Sequence, residues 1–256
     1  MNISLKGKIA LITGATGQLG RVMARTLASC GADIAVCFHN NSEMADQLAG
    51  EIKVMGCRAV TVQADITNEK STEKMRKKIK AELGDPDIVV NNAVIQYKWK
   101  SIIDQSPEDF QNQFDSCVMQ SVYTAKAFLP AMIAKGSGRF IGINSECSAQ
   151  CSANTGAYAS AKRGMDGLYR VLANEAGPKG VTVNQVAPGW VISDKDREAK
   201  TIDHRGFNDS SYARIVPLAR RGTDQEIANV VLFLASDLAS FVTGVCIPVC
   251  GGNVMV

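Results

Sequence analysis

Seven short apolar segments alternate along this chain with longer segments of helical period. The strand candidates are Lys8–Thr13, Asp33–Phe38, Arg58–Gln63, Ile88–Val90, Arg139–Asn144, Thr182–Val186 and Val245–Val249. The helix candidates are Leu19–Ser29, Ser42–Met55, Asn68–Leu83, Pro107–Lys135, Ala157–Ala176 and Asp224–Ser236. Continuous apolar strands separated by helices are typical of a parallel sheet that helices cover on both faces. With right-handed crossovers, this pattern predicts a doubly wound α/β domain of the Rossmann type with a seven-stranded parallel sheet.

No linker or repeat divides the chain, so we predict a single domain over residues 1–256. The segment Ser193–Tyr212 interrupts the alternation, because it is crowded with charge and lies between a strand and the last helix. Folds of this kind place a lid in a long insertion after the carboxyl end of a strand. We therefore predict a substrate lid over residues 194–212, with a mobile surface loop as the alternative.

The composition argues against several classes of partner. A formal net charge of +3 over 256 residues provides no basic field for nucleic acid. No stretch approaches the roughly 18 consecutive apolar residues of a membrane span, and the N-terminus lacks a signal-peptide pattern. The eight cysteines form no C-x-x-C pair and have no histidine near their C-x-x-x-C spacings. We expect no metal site, and reduced thiols in a cytoplasm.

A glycine-rich loop, T-G-A-T-G-Q-L-G from Thr13 to Gly20, lies between the first strand and the first helix. In a doubly wound sheet this turn lets the backbone approach a pyrophosphate, and the helix N-terminus favours its negative charge. The loop therefore predicts a dinucleotide site at Gly14, Gly17 and Gly20. The glycine spacing alone would be a weak signal, but its place between a strand and a helix is the context that the motif needs.

The end of the second strand distinguishes NAD from NADP. An acidic side chain there would accept a hydrogen bond from the ribose 2′-hydroxyl. Phe38 occupies that place, about 18 residues past the last glycine of the loop, and His39, Asn40 and Asn41 follow. These three side chains can donate hydrogen bonds to a phosphate, so NADP(H) is favoured. NAD stays open, because no arginine or lysine stands here.

Tyr158 and Lys162 are four residues apart in the run A-Y-A-S-A-K, and Ser145 stands thirteen residues before the tyrosine. Residues four apart share one face of a helix. Tyrosine has an ordinary pKa of about 10, and a neighbouring ammonium lowers that pKa, which makes the phenol usable as a general acid or base.

The chain resembles the compact short-chain dehydrogenases/reductases, a family that includes 3-oxoacyl-carrier-protein reductases and sugar or steroid dehydrogenases, over essentially its whole length. The motifs that carry the resemblance are the glycine loop, A-D-I at 64–66, N-N-A at 91–93, Ser145, Y-A-S-A-K at 158–162, V-N-Q-V-A-P-G at 183–189 and the run from Pro217 to Gly252. The resemblance implies hydride transfer between a nicotinamide and a carbonyl or alcohol. It also implies a homotetramer.

The same resemblance assigns roles to individual residues. Ser145 would hydrogen-bond the reacting oxygen, Tyr158 would give or take its proton, and Lys162 would lower the pKa of the tyrosine and hold the nicotinamide ribose. Together with the end of the second strand, the predicted cofactor residues are Gly14, Ala15, Thr16, Gly17, Gln18, Leu19, His39, Asn40, Asp65, Ile66, Asn92, Tyr158, Lys162, Pro188, Gly189 and Val191. Asp65 and Ile66 would flank the adenine, and Asn92 would lie by a ribose.

Two alternatives to an active reductase follow from departures from the family pattern. Cys117 stands where the family carries an asparagine that supports a proton relay, and a thiol is a weaker hydrogen-bonding group than an amide. A cofactor-binding protein with little turnover, acting as a sensor or partner, is therefore the second hypothesis.

A sugar-nucleotide epimerase or dehydratase is the third hypothesis, because the glycine spacing resembles that of longer family members. Against it, those enzymes carry an added substrate domain that this chain lacks.

The substrate stays open at this stage. The charged lid slightly favours a polar ligand such as a sugar or polyol. Trp99, Trp190 and Ile192 could equally line an apolar pocket.

Overall fold

A computed structural model describes residues 3–198 and 211–255 of the chain. Its strands are Ile9–Ile12 (β1), Asp33–Phe38 (β2), Ala59–Gln63 (β3), Ile88–Asn91 (β4), Gly138–Ile143 (β5), Val181–Pro188 (β6) and Cys246–Val249 (β7). They form one sheet in the order β3-β2-β1-β4-β5-β6-β7. Every strand pair is parallel. The predicted doubly wound, seven-stranded sheet is confirmed.

The helices follow the predicted segments closely. They are Gln18–Ser29 (α1), Ser42–Val54 (α2), Glu69–Glu82 (α3), Pro107–Phe114 (α4), Gln120–Lys135 (α5), Cys147–Gln150 (α6), Gly156–Ala176 (α7), Asp194–Glu198 (α8), Ser211–Ile215 (α9) and Asp224–Ala235 (α10). The short helices α6, α8 and α9 were not predicted, because a single turn carries too little periodicity to be recognised.

Two apolar layers cover the sheet. Alternate residues of β1 point to opposite faces, so Ala10 and Ile12 join one buried cluster and Ile9 and Leu11 join the other. The first cluster contains residues of α1, α2 and α10, and the second contains residues of α3, α5 and α7. Burial on both faces explains why the strands read as continuous apolar runs.

The helix predicted as continuous over Pro107–Lys135 is interrupted. Asp115–Met119 forms a π-helical segment between α4 and α5. Side chains just after the segment hydrogen-bond back to its carbonyls, with Gln120 donating to Ser116 and the Ser121 hydroxyl donating to Cys117 at 2.9 Å. Such back-bonding bends helices, and π segments often lie at functional sites.

The strand order reverses at β1, which has β2 on one side and β4 on the other. In open parallel sheets, ligands bind outside the carboxyl ends of the strands at this switch point. The glycine loop follows β1, Asn92 follows β4, and Ser145 follows β5. The fold therefore brings the predicted site residues to one edge of the sheet.

Candidate active site

A cleft of about 1080 Å³ opens at this edge. Fourteen residues predicted for the site line it, namely Gly14, Thr16, Gly17, Gln18, Leu19, His39, Asn40, Asn92, Ser145, Tyr158, Lys162, Pro188, Gly189 and Val191. The structure thus brings together residues from six separate parts of the sequence.

The glycine loop is shaped by close backbone approaches. Gly14 has φ +60, and a Cβ there would lie 2.9 Å from the Cα of Ala93. A Cβ on Gly20 would lie 2.3 Å from the carbonyl oxygen of Gly14. Gly17 caps α1 with no side-chain hydrogen bond, and the first turn carries no acid. An open helix N-terminus beside a loop without side chains fits the pyrophosphate of a dinucleotide.

The end of β2 presents donors and no acid to the cleft. Phe38 packs into the core with 8% of its surface exposed. The exposed residues His39, Asn40 and Asn41 line the cleft instead. The Asn41 side chain also accepts a hydrogen bond from the Met44 N–H at 3.0 Å and so caps α2.

Asn92 fastens the glycine loop to the end of β4. Its Nδ2 donates to the carbonyl oxygens of Thr13 at 2.9 Å and of Gly14 at 3.1 Å. Its own N–H donates to the Thr13 hydroxyl at 2.9 Å. Asn92 therefore holds the loop in the conformation that faces the cleft.

Three residues predicted to contact the cofactor lie outside the lining of the cleft. Ala15 is fully buried, and its N–H donates to the Cys37 carbonyl at 2.8 Å. The Asp65 carboxylate accepts hydrogen bonds from the N–H and the hydroxyl of Thr67, at 2.9 and 2.7 Å. Ile66 packs against the second core cluster. These three residues take part in local hydrogen bonds or in core packing. The family motifs in the sequence do not show these contacts.

Ser145, Tyr158 and Lys162 converge at the centre of the cleft, and all three are more than nine-tenths buried. Ser145 follows β5, and its Oγ accepts a hydrogen bond from the Cys147 N–H at 3.2 Å. Tyr158 and Lys162 lie one turn apart on α7, with the Lys162 Nζ 5.7 Å from the centre of the tyrosine ring. The Nζ donates to the Ile143 carbonyl at 2.6 Å.

The expectation that Lys162 lowers the pKa of Tyr158 stays a prediction, because burial is the larger influence on this phenol in the structure. Burial raises the pKa of Tyr158 above its ordinary value, and the nearby Ser145 hydroxyl opposes that shift without cancelling it. Desolvation disfavours the phenolate, while the Lys162 ammonium is engaged with a backbone carbonyl. The phenol is therefore held in its protonated form, ready to donate.

Tyr97 is a cleft residue that the sequence reasoning missed. Its ring stacks on that of Tyr158, with ring centres 3.9 Å apart and planes 12° from parallel. Burial also raises the pKa of Tyr97. Its place four residues after the N-N-A motif was the only available signal, and spacing alone does not show stacking.

Glu146, Tyr212 and Asn253 form a second group of cleft residues that was missed. Glu146 Oε2 accepts hydrogen bonds from the Tyr212 hydroxyl and the Asn253 Nδ2, both at 3.0 Å. Burial raises the pKa of Glu146. The position of Glu146 beside Ser145 was the available signal, but its partners come from distant parts of the chain.

The predicted lid is described only at its ends, since residues 199–210 lie outside the described part of the chain. Its first part, α8, is joined to the body by ion pairs. Asp194 pairs with Arg21 on α1, and Arg197 Nη2 lies 2.8 Å from Asp224 at the start of α10. At the other end, Tyr212 and Ile215 of α9 line the cleft.

Within residues 3–198 and 211–255, no group of three or more histidine, cysteine or acidic side chains could hold a metal ion. None of the helices in these same residues is long and apolar enough to cross a membrane.

Comparison with known proteins places this geometry among oxidoreductases. A family model described as enoyl-(acyl carrier protein) reductase matches residues 14–253. The chain is 35% identical to a 3-oxoacyl-(acyl-carrier-protein) reductase of Pseudomonas aeruginosa, over 99% of this chain and 100% of that protein. It is 36% identical, with the same coverage, to the enzyme of that description from Escherichia coli.

Two solved structures share the whole fold. A proposed gluconate dehydrogenase from Agrobacterium tumefaciens superposes with a TM-score of 0.90 at 30% identity, covering 100% of this chain and 99% of that one. A 7α-hydroxysteroid dehydrogenase, in complex with NADH and 7-oxo glycochenodeoxycholic acid, gives a TM-score of 0.89 at 32% identity, covering 99% and 96%.

Proposed function

Because this chain belongs to the short-chain dehydrogenase/reductase family of oxidoreductases, we propose that it is an NADP(H)-dependent enzyme that interconverts a carbonyl compound and a secondary alcohol. One observation carries the proposal. Ser145, Tyr158 and Lys162 lie in the same cleft as the glycine loop and a helix N-terminus that has no side-chain cap.

The nicotinamide, when bound, supplies or accepts the hydride. The Ser145 hydroxyl hydrogen-bonds the substrate oxygen and fixes its position. The Tyr158 phenol donates its proton to that oxygen during reduction, and accepts it during oxidation. Lys162, held by the Ile143 carbonyl at 2.6 Å, fixes the position of a positive charge beside the tyrosine and contacts the cofactor ribose.

The choice of NADP(H) over NAD(H) is supported by the end of β2. Its side chains in the cleft, His39, Asn40 and Asn41, can all donate hydrogen bonds. No carboxylate stands there to accept from a free 2′-hydroxyl or to repel a 2′-phosphate.

A panel of ketones, aldehydes and secondary alcohols, assayed with both cofactors, tests this function. We expect turnover of at least one carbonyl substrate, faster with NADPH than with NADH. Tight cofactor binding without turnover of any substrate would favour the second hypothesis, a binding protein. The intact Ser145, Tyr158 and Lys162 argue against that hypothesis, and Cys117 is its support.

Replacing Cys117 by asparagine tests the relay position. The thiol is fully buried within the π-helical segment. We expect Cys117→Asn to leave kcat unchanged or to raise it, because an amide is a strong donor and acceptor. An amide without partners in this site would cost roughly 1–3 kcal/mol of stability, so the melting temperature is measured beside the rate. A stable variant with a sharply lower rate would contradict the relay assignment.

Replacing Tyr97 by alanine should change the pH dependence. The buried phenol of Tyr158 has a raised pKa, and it acts as a base in alcohol oxidation only when deprotonated. Burial is the largest cause of this shift and outweighs the opposing hydrogen bond from Tyr97. Removing the stacked ring lets water reach the phenol and should lower its pKa, so the rise of the oxidation rate should move to lower pH. Tyr97→Phe, which keeps the ring, should not move it downward. A profile unchanged in Tyr97→Ala would show that the stack does not control this pKa.

A homotetramer is our proposal for the assembly, and it is supported by two exposed apolar regions. Leu238, Phe241 and Val245 are exposed beside the edge strand β7, while Phe114 and Val171 are exposed on α4 and α7. Two separate contact faces suit a tetramer with two-fold axes. Sedimentation should give four times the 27.4 kDa chain mass at micromolar concentration. A monomer would refute this assembly.

A cytoplasmic location is also proposed. All eight cysteines, which lie in the described segments, are free thiols. Free thiols are typical of a reducing compartment.

A further inference from the structure

Glu146 is a buried acid beside the proposed reacting centre, with 7% of its surface exposed, and it lines the cleft. We infer that Glu146, held by Tyr212 and Asn253, recognises a hydroxyl group of the substrate and so selects uncharged polyhydroxylated carbonyl compounds. This inference rests on the proposed function, because it concerns the substrate of that same site.

The two partners of Glu146 leave half of its carboxylate available. Tyr212 and Asn253 both donate to Oε2, each at 3.0 Å. Oε1 makes no hydrogen bond with any other described residue. Oε1 keeps contact with solvent in the cleft, and an ionised carboxylate has roughly four acceptor sites. A substrate hydroxyl that enters the cleft can therefore donate to Oε1 in place of solvent.

The charge of Glu146 determines which ligand suits it. Within residues 3–198 and 211–255, no arginine or lysine forms an ion pair with this carboxylate. A substrate carboxylate or phosphate beside it would be repelled. A hydroxyl donor would be attracted without that penalty, and hydrogen bonds to charged acceptors are the stronger ones.

The position of the cluster brings this recognition close to the reacting oxygen. Glu146 directly follows Ser145, and its N–H donates to the Pro188 carbonyl at 3.0 Å. The Tyr212 hydroxyl accepts from the Trp190 N–H at 3.0 Å. A Cβ on Gly189 would lie 2.2 Å from that hydroxyl, so the glycine is required for the contact. The cluster is thus fixed between the ends of β5 and β6.

Tyr212 connects the cluster to the predicted lid. It lies on α9, the first described helix after residues 199–210. Tyr212 therefore brings the end of the predicted lid into contact with Glu146.

The test compares paired substrates with the full-length enzyme and NADPH. Erythrulose is the hydroxylated ketone, 2-butanone is its counterpart without hydroxyls, and the N-acetylcysteamine thioester of acetoacetate stands for 3-oxoacyl thioesters. The measured quantity is the ratio of kcat/KM for erythrulose to that for 2-butanone. We expect Glu146→Ala to lower this ratio on the order of tenfold to a hundredfold, the loss of a hydrogen bond to a charged group.

Two further variants make the result decisive. Glu146→Gln keeps the shape of the side chain and should lower the ratio less, which keeps the test valid if the alanine variant does not fold. Glu175→Gln, on the exposed side of α7, removes an equal charge outside the cleft and should leave the ratio unchanged. Melting temperature and NADPH titration are measured for each protein.

Several results would overturn the inference. An equal fall in kcat/KM for both ketones in folded Glu146 variants would mean that Glu146 only supports the structure. A wild-type preference for the thioester, unaffected at Glu146, would mean that hydroxyl recognition is wrong while the proposed reductase stands. Failure of the wild type to reduce any carbonyl compound would instead refute the proposed function itself.

Discussion

Replacing Tyr158 by phenylalanine is expected to lower kcat by about a hundredfold or more, while folding and NADPH affinity stay unchanged. The substitution removes only the phenol hydroxyl, and general acid-base catalysis contributes on the order of 10²–10⁴ in rate. The ring stays packed against Tyr97 at 3.9 Å, so the cleft should keep its shape. Steady-state kinetics with the best carbonyl substrate, together with a fluorescence titration of NADPH, measure the two quantities separately.

A second tyrosine provides the control for this experiment. Tyr123 is half-buried on α5 and does not line the active-site cleft. Tyr123→Phe makes the same chemical change and should leave kcat within a few-fold of the wild type. If Tyr158→Phe behaved in the same way, Tyr158 would not be the proton donor.

The cofactor preference should respond equally clearly to a charge at His39. His39→Asp places a carboxylate in the cleft where the 2′-phosphate of NADP(H) is proposed to bind. Two like charges about 4 Å apart repel by roughly 1–4 kcal/mol between bulk water and a protein surface. We therefore expect the Kd for NADPH to rise by about tenfold or more, with little change for NADH.

His39→Asn is the matched control, because it keeps a hydrogen-bond donor and adds no charge. It should retain most of the NADPH affinity. A wild-type protein that binds NADH more tightly than NADPH would show that the end of β2 was misinterpreted. Position 39 is preferable to position 38 for this test, since the Phe38 side chain belongs to the core and an acid there would destabilise the fold.

The strands and long helices could be predicted because each pattern is local. The apolar runs of β1 and β2 and the 3.6-residue period of α7 come from neighbouring residues. The observed ends of these three elements lie within one residue of the predicted bounds. The glycine loop could be predicted as well. Gly20 is required because its Cα lies close to the backbone of the same loop, and Gly14 is required because it lies close to Ala93 of the N-N-A motif.

The missed features depend on contacts and burial that hydrophobic patterns and motif spacings do not show. Glu146 meets Tyr212 and Asn253 only after the chain has folded, so no spacing in the sequence indicates the cluster. The shift of the Tyr158 pKa depends on how deeply the phenol is buried, which the four-residue interval to Lys162 does not express. The π-helical segment depends on side chains that bond back to carbonyls, and hydrophobic periodicity is insensitive to that.

Direct transfer of hydride is the most stringent test of the central proposal. The enzyme would be incubated with NADPH that carries deuterium at C4 of the nicotinamide, together with a ketone from the panel, and the product would be examined by mass spectrometry. The proposed reaction requires one deuterium on the carbinol carbon of the alcohol, formed by the wild type and at least about a hundredfold more slowly by Tyr158→Phe. Cofactor binding with no labelled alcohol from any carbonyl compound would contradict the proposal and leave the chain as a binding protein.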